Sequence, residues 1–398
     1  MIGWEYPPHN SGGLGVATEG ITKELANQNT EVFFTLPYHY SGTINHLHVV
    51  ECVPDSWGKT TAPPFSGYGQ ALTQPSAPLR LDVDELVSLP SSDMECRVAE
   101  YATEVAKKGM KLADKFEVIH AHDWMSFPAA TQLKQQTGKP MIAHVHSTEY
   151  DRIPSGNGSP FIIQAEKEGF QAADKIIAVS AYTKHVLINH YQIDPQKIAV
   201  VHNGIAPVDP IKMPGVRQFA TKRPVVVFMG RLTAQKGPTF FLDVANQVLD
   251  KLPEVLFVVA GVGDMYQELL WKTAGDHLTA SVLFSGFVRD TQKNKLLDRA
   301  DVFVMPSLSE PFGLVALEAA QRHTPVIISK TSGASEVLPN AIRVDYWDTQ
   351  ALTAQIIELL ANPARRETLV KSQLSDLKKV TWQKAARAVR NLYQSLFH

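Results

Sequence analysis

Val225-Val226-Val227-Phe228-Met229-Gly230-Arg231-Leu232-Thr233-Ala234-Gln235-Lys236-Gly237 is an apolar run that stops at a glycine, then delivers an arginine and, five residues later, a lysine. Three valines, a phenylalanine and a methionine bounded by glycine read as a buried strand. In an open α/β sheet ligands gather beyond the carboxyl ends of the strands, so both cations are expected at a crevice. The planar fork of Arg231 and the point charge of Lys236 together suit a diphosphate. A solvated pair of cations after a strand is the plainer alternative.

A second stretch points to the same chemistry. Ser309-Glu310-Pro311-Phe312-Gly313-Leu314-Val315-Ala316-Leu317-Glu318 sets two carboxylates eight positions apart around a Pro-Phe-Gly turn. The glycine lets backbone approach a ligand, and the apolar residues after it read as a helix starting at the turn. The N–H groups and positive dipole of that start would face a phosphate or sugar oxygen, with Glu310 and Glu318 as acceptors for hydroxyls. Without the first stretch, a dipole-capping Glu310 and a buried, paired Glu318 would serve as well.

The two stretches resemble the G-R-x-x-x-x-K-G and E-x7-E motifs of retaining glycosyltransferases of family 4. That resemblance covers nearly the whole chain. It implies an α/β protein of the GT-B fold, with two Rossmann-like, doubly wound domains facing a central cleft. It also implies transfer of a hexose from a nucleoside diphosphate sugar with retention at the anomeric carbon. Carried over residue by residue, it places Arg231 and Lys236 on the diphosphate and the main chain of Phe312, Gly313, Leu314 and Val315 on the phosphate or sugar. Many relatives have threonine where Val315 stands. Glu318 falls on the ribose and Glu310 on the donor sugar, and no carboxylate is placed as a covalent nucleophile. A front-face transfer within an ion pair is therefore the implied mechanism, with preorganised charge as its main source of acceleration.

Composition agrees with two domains and narrows the partners. A chain of 398 residues with 44% hydrophobic content can build two cores on the usual scale of about 100–200 residues each. The net charge is −2 and its cations are dispersed, so there is no electrostatic footprint for nucleic acid. Cys52 and Cys96 make neither a disulfide framework nor a zinc motif, which favours a reducing cytoplasm. Met1-Ile2-Gly3-Trp4-Glu5-Tyr6-Pro7-Pro8 is not a signal peptide, and no apolar run approaches the ~20 residues that span a bilayer. No integral membrane segment is expected, although peripheral contact stays open.

Short β-branched runs alternate with helical periodicity along the chain, the pattern of parallel sheets covered by helices. Strands are expected at Val32-Leu36, Val118-His122, Met141-His146, Ile176-Val179 and Ile198-His202. A second set is expected at Val225-Met229, Leu256-Ala260, Val282-Ser285, Val302-Met305 and Val326-Ser329. Pro207, Pro210, Pro214 and Gly215 interrupt regular structure between the sets. The expected domains are an acceptor-side domain at 1–205, a nucleotide-sugar domain at 206–380 and a helix at 381–398, which by the resemblance returns to the first domain.

In the first half, Asn10-Ser11-Gly12-Gly13-Leu14-Gly15 and a helix expected at Val16-Ala26 form a Gly-rich turn that admits a phosphate or sugar, a weak signal by itself. With Trp4-Glu5-Tyr6-Pro7-Pro8 it resembles the opening of glycogen-synthase-like members, and this puts Gly13 on the donor. The strand those members carry before Gly3 is nearly absent, as from a shortened start. Asn10 stands where starch and glycogen synthases have a lysine, so their donor preference does not carry over. The spacing also differs from the G-x-G-x-x-G of a nicotinamide oxidoreductase.

His120-Ala121-His122-Asp123-Trp124 and His144-Val145-His146-Ser147-Thr148-Glu149 bring imidazoles to two further strand ends. Alternation along a strand puts His120 with His122, and His144 with His146, on common faces. Paired histidines plus Asp123 are legitimate ligands for zinc or another divalent ion, which keeps a metal-dependent hydrolase as an alternative. The resemblance instead places the family's active-site histidine on His146 and the acceptor side on Asp123 and Trp124, with no metal or other cofactor required. Residues 37–93 read as a long loop whose aromatics Tyr38, Tyr40, Trp57, Phe65 and Tyr68 offer stacking faces for sugars or anchor the loop locally. The closest family branch is glycogen or starch synthase-like, implying glucosyl transfer to an α-glucan; a glycolipid, polysaccharide or small-molecule acceptor is the alternative.

Overall fold

The computed structural model describes residues 1–10, 12–63, 91–154, 156–207 and 223–397. Its contacts divide into two units. Unit 1 is Met1–Tyr150, Asn157–Gly204 and Trp382–His398; unit 2 is Asp151–Gly156 and Ile205–Thr381.

Unit 1 has six parallel strands: β1 (Phe33–Leu36), β2 (His48–Glu51), β3 (Ile119–His122), β4 (Met141–Val145), β5 (Lys175–Ala178) and β6 (Ile198–Val200). β1 pairs β2, and β3 to β6 follow in order. Ile2 bridges the two sets, pairing with Thr35 on one side and Ala121 on the other. Ile2 thus stands at the centre of the sheet, between β1 and β3. The chain starts there, winds to β1 and β2, and returns through β3 to the other side, a doubly wound order whose switch point lies at Ile2. The following helix is Gly13–Ala26, three residues longer at its start than expected. Glu5 explains the difference, because its carboxylate accepts the Gly15 N–H at 3.0 Å and so satisfies an early donor of the helix.

Residues 37–93 are not one loop. They include β2, a short 3-10 turn at Asp55–Trp57 and the start of the helix Ser91–Lys111. Tyr38 is wholly buried and its hydroxyl meets the Tyr6 main chain, so it is a core residue and no sugar platform. The Trp57 indole donates to Glu100 at 2.5 Å. Phe65 and Tyr68 lie outside the described residues, as do Ser11 of the Gly-rich turn and the linker prolines 210 and 214.

Unit 2 is a six-stranded parallel sheet of β7 (Val225–Met229), β8 (Leu256–Ala260), β9 (Val282–Gly286), β10 (Val302–Met305), β11 (Val326–Ser329) and β12 (Ile342–Val344). Their order is β12-β11-β10-β7-β8-β9. The chain begins in the middle, winds outward to β9, then crosses back to β10, so the switch point lies between β7 and β10. Every residue of β7, β10 and β11 is buried, as a sheet covered by helices on both faces requires. β12 escaped the sequence reading because it is a three-residue edge strand with one buried side chain.

The helix Trp382–Gln394 packs on Gly13–Ala26 within unit 1. A Cβ on Gly20 would lie 2.4 Å from the Trp382 indole, so that glycine is what lets the two helices approach. Among the described residues, no helix is long and apolar enough to cross a membrane.

Candidate active site

The two motifs of unit 2 meet at the β7/β10 switch point. After β7, Gly230 and Arg231 lead into a 3-10 turn, Ala234–Lys236, which ends at Gly237 with φ +67°. A Cβ on Gly237 would lie 2.1 Å from the Pro306 carbonyl in the loop that follows β10. That close approach holds the two loops together. Lys236 Nζ meets Glu310 Oε2 at 2.7 Å, and Ser307 Oγ donates to the same oxygen at 3.2 Å. The ammonium expected on a diphosphate and the carboxylate expected on a sugar thus form one ion pair, with side chains 15% and 8% exposed.

Gly313 caps the helix Leu314–Gln321 with φ +95°. A Cβ there would crowd Met305 at 2.8 Å and Glu310 at 3.2 Å, so glycine is required by conformation and by space. No side chain caps this helix, and in its first turn Ala316 N donates back to Gly313 O at 3.0 Å. Glu318, one turn in, meets Lys293 Nζ at 2.6 Å. Phe312 is buried, so only its main chain can face a ligand.

The sequence reading missed two supports of this site. Gly261, at φ +147°, and Gly263 follow β8. A Cβ on either would strike the Gly230 or Leu232 carbonyl, at 1.8 and 2.4 Å. Leu232 N donates to Val262 O and Met265 N to Leu232 O, both at 3.0 Å, which fixes the loop carrying Arg231. The signal was legible as a glycine pair at a strand's carboxyl end. Lys293 had none, since it stands in the helix Asp290–Arg299 and reaches Glu318 only through tertiary packing.

In unit 1 the four expected imidazoles converge. β3 and β4 pair His122 with His144, and their side chains form a two-by-two grid. His120 Nε2 meets His144 Nδ1 at 3.1 Å, and His122 Nδ1 meets His146 Nε2 at 3.1 Å. His120 Nδ1 meets the Tyr393 hydroxyl, from Trp382–Gln394, at 2.5 Å. His120, His122 and His144 are buried and His146 is half-buried. Loss of solvation, aided by the neighbouring imidazoles, holds the first three well below the ordinary 6.5; the same loss takes His146 down to about 3. All four are neutral at physiological pH.

Ligand atoms of His120, His122 and His144 lie within 4.8 Å of one another, so a metal reading has a geometric basis. Against it, the two histidine–histidine bonds already use one nitrogen of every ring.

Asp123 lies in the left-handed region at φ +59° and its carboxylate accepts His146 N at 2.7 Å and Ser147 N at 3.4 Å. Its observed work is to hold the end of β4. Trp124, which the resemblance puts on the acceptor side, lies in the core of unit 1. Its indole is 1% exposed and packs edge-on to Phe161 at 5.9 Å in the unit 1 core. Gly13, the first residue of its helix, is exposed.

Comparison with known proteins gives these sites a context. Residues 11–208 match Glycosyltransferase Family 4 and residues 212–374 match Glycosyl transferases group 1. The chain is 28% identical to an uncharacterized glycosyltransferase of Methanocaldococcus jannaschii, across 99% of this chain and 97% of that protein. It is 27% identical to the glycogen synthase of Mycobacterium tuberculosis, across 99% and 93%. Among solved structures, Anabaena HepE in complex with UDP and glucose superposes with a TM-score of 0.72 at 18% identity, over 99% of both chains. The chain belongs to the glycosyltransferases of the family 4 type and has the GT-B fold.

Proposed function

We propose that the protein transfers a hexose, glucose by its likeness to the glycogen synthase branch, from a nucleoside diphosphate sugar to an acceptor, with retention at the anomeric carbon. The observation that carries this reading is the β7/β10 switch point of unit 2, where Lys236, Glu310 and the uncapped helix start at Gly313 adjoin. Arg231 and Lys236 hold the diphosphate, and the main chain from Phe312 to Val315 holds phosphate or sugar. Glu310 serves the sugar and Glu318 the ribose. Diphosphate binding converts the Lys236–Glu310 pair into a relay, in which the ammonium turns to phosphate oxygens and the carboxylate is released toward sugar hydroxyls. Gly13 also serves the donor and His146 the transferred sugar. Asp123 acts through the main chain it holds.

An α-glucan end is the proposed acceptor. The runner-up is a glycolipid, polysaccharide or small molecule, since one donor site can serve many acceptors. No metal is required, because cations and helix N–H groups stabilise the leaving diphosphate.

The test is incubation of the full chain with a panel of nucleoside diphosphate sugars, with and without glucan, in excess chelator. Release of one nucleoside diphosphate, stimulated by glucan and undiminished by chelator, is the expected result. A folded protein that turns over none of the donors sinks the proposal. Activity lost to chelator and rescued by added metal sinks the metal-free mechanism.

A further inference from the structure

We infer that His122 is a positioning residue that fixes the proton of His146 on Nδ1, so that His146 meets its ligand as a hydrogen-bond donor. The inference rests on the reading above that His146 serves the transferred sugar. A neutral imidazole has one N–H and one lone pair, and each histidine–histidine bond consumes one of each. His122 Nε2 and His144 Nε2 are buried with no hydrogen-bond partner. An enclosed N–H without an acceptor is the rarer and costlier orphan, so both nitrogens carry lone pairs. The His122 proton is then on Nδ1 and is donated to His146 Nε2, 3.1 Å away. His146 Nε2 is thereby the acceptor, and its proton resides on Nδ1.

The neighbouring pair obeys the same rule. His144 donates from Nδ1 to His120 Nε2, which leaves His120 Nδ1–H to donate to Tyr393. The two bonds across the β3–β4 register therefore carry their protons in opposite senses, His122 donating from β3 and His144 from β4. Three further contacts hold the His146 ring in place. Its main chain is tied to Asp123, and its ring stacks on His144 at 4.2 Å and His122 at 5.3 Å.

The consequence is chemical. His146 is half-buried, and its remaining nitrogen carries a hydrogen. Such a group donates to a sugar hydroxyl oxygen. It cannot take a proton from an acceptor hydroxyl through Nδ1, because its lone pair is committed to His122.

The experiment reads the tautomer directly in the full chain labelled with 15N-histidine. Long-range proton–nitrogen correlation identifies His146 as the spin system missing from His146→Ala. The expected pattern is a protonated Nδ1 with a bare Nε2. A protonated Nε2 in the parent overturns the inference, whatever the enzyme's activity. His122→Phe should release the constraint and move His146 toward the Nε2–H form that free imidazole favours in water. Its transfer rate should fall on the order of tenfold, with an unchanged KM for the donor. His122→Asn restores a side-chain N–H near the lost Nδ1 and should recover both tautomer and rate. A purely structural role for His122 would make the rate follow melting temperature and leave the tautomer unmoved, which also overturns the inference. If the tautomer is as expected but His146→Ala transfers sugar at the parental rate, the reading of His146 as a sugar contact fails while its proton placement stands.

Discussion

Units 1 and 2 build the same kind of parallel sheet and place opposite chemistry at its strand ends. Unit 2 keeps charge there, compensated in pairs: Lys236 with Glu310 and Lys293 with Glu318. Unit 1 buries three imidazoles, half-buries a fourth and keeps all four uncharged, with their hydrogens ordered by one another. The difference follows from what each surrounding can support. Charge survives partial burial where a counter-ion and a ligand exchange places, whereas an enclosed ring without a carboxylate is held more cheaply as a neutral donor and acceptor.

The comparison breaks most visibly at the Lys236–Glu310 pair. Lys236→Ala should lower transfer on the order of a hundredfold or more. Because it strands a nearly buried carboxylate, it should also cost about 3–5 kcal/mol of stability. Thermal melts and kinetics of Lys236→Ala beside Lys236→Ala/Glu310→Gln separate the two effects. The double variant should regain melting temperature without regaining rate, and recovery of the rate would remove Lys236 from the mechanism. Arg231→Ala should match the rate loss, and near-normal turnover by both single variants would refute the donor-site assignment.

Acid should unfold unit 1 through its imidazoles. A histidine whose folded pKa is depressed binds its proton in the unfolded chain first, so its stabilising contribution is complete above 6.5 and is lost as pH falls toward the folded value. All four shifts act in the same direction, so their losses reinforce one another as pH falls. Melting temperature should fall steeply between about pH 6 and 4. Replacing His144 and His120 together by an apolar pair should flatten that slope; an unchanged slope would mean that the grid is not what titrates.

His144 and His146 sharpen the contrast inside unit 1. His144→Ala leaves a cavity and removes the partner of His120, and should cost about 2–4 kcal/mol. It should leave the rate of the folded fraction close to parental. His146→Ala should do the reverse, lowering the rate about tenfold or more with little change in melting temperature. The assignment fails if the activity loss of His146→Ala merely tracks unfolding.

The smallest expected effect is at Lys293. Its pair with Glu318 is partly exposed and worth up to about 1 kcal/mol. Lys293→Ala frees the carboxylate to rotate, so KM for the donor should rise about threefold, a loss under ~1 kcal/mol, with kcat unchanged. An altered kcat would place the lysine at the reacting centre.

Much of the fold was legible because parallel strands buried on both faces are apolar runs that end abruptly. β7, β8, β10 and β11 stand at the residues expected of them. β2 and β12 were not legible, being short and mostly unburied. The central pairing of unit 1 could not be read, since it runs through Met1, Ile2 and Gly3, too short a run to show alternation. For the site, glycine and charge spacing identified Gly230 to Gly237 and Glu310 to Glu318, because close backbone approach and anion binding leave marks on residue type.

By itself the sequence determined where the strands end and which charged, glycine and histidine residues stand there, because those features are local to a strand and its next turn. Only the tertiary structure decided which of them touch. The Lys236–Glu310 and Lys293–Glu318 pairs are set by the parallel pairing of β7 with β10 and by helix packing. The Tyr393 contact comes from a helix 273 residues away from His120. The protonated nitrogen of His146 is decided last, since it depends on two buried nitrogens that find no partner in the packed core.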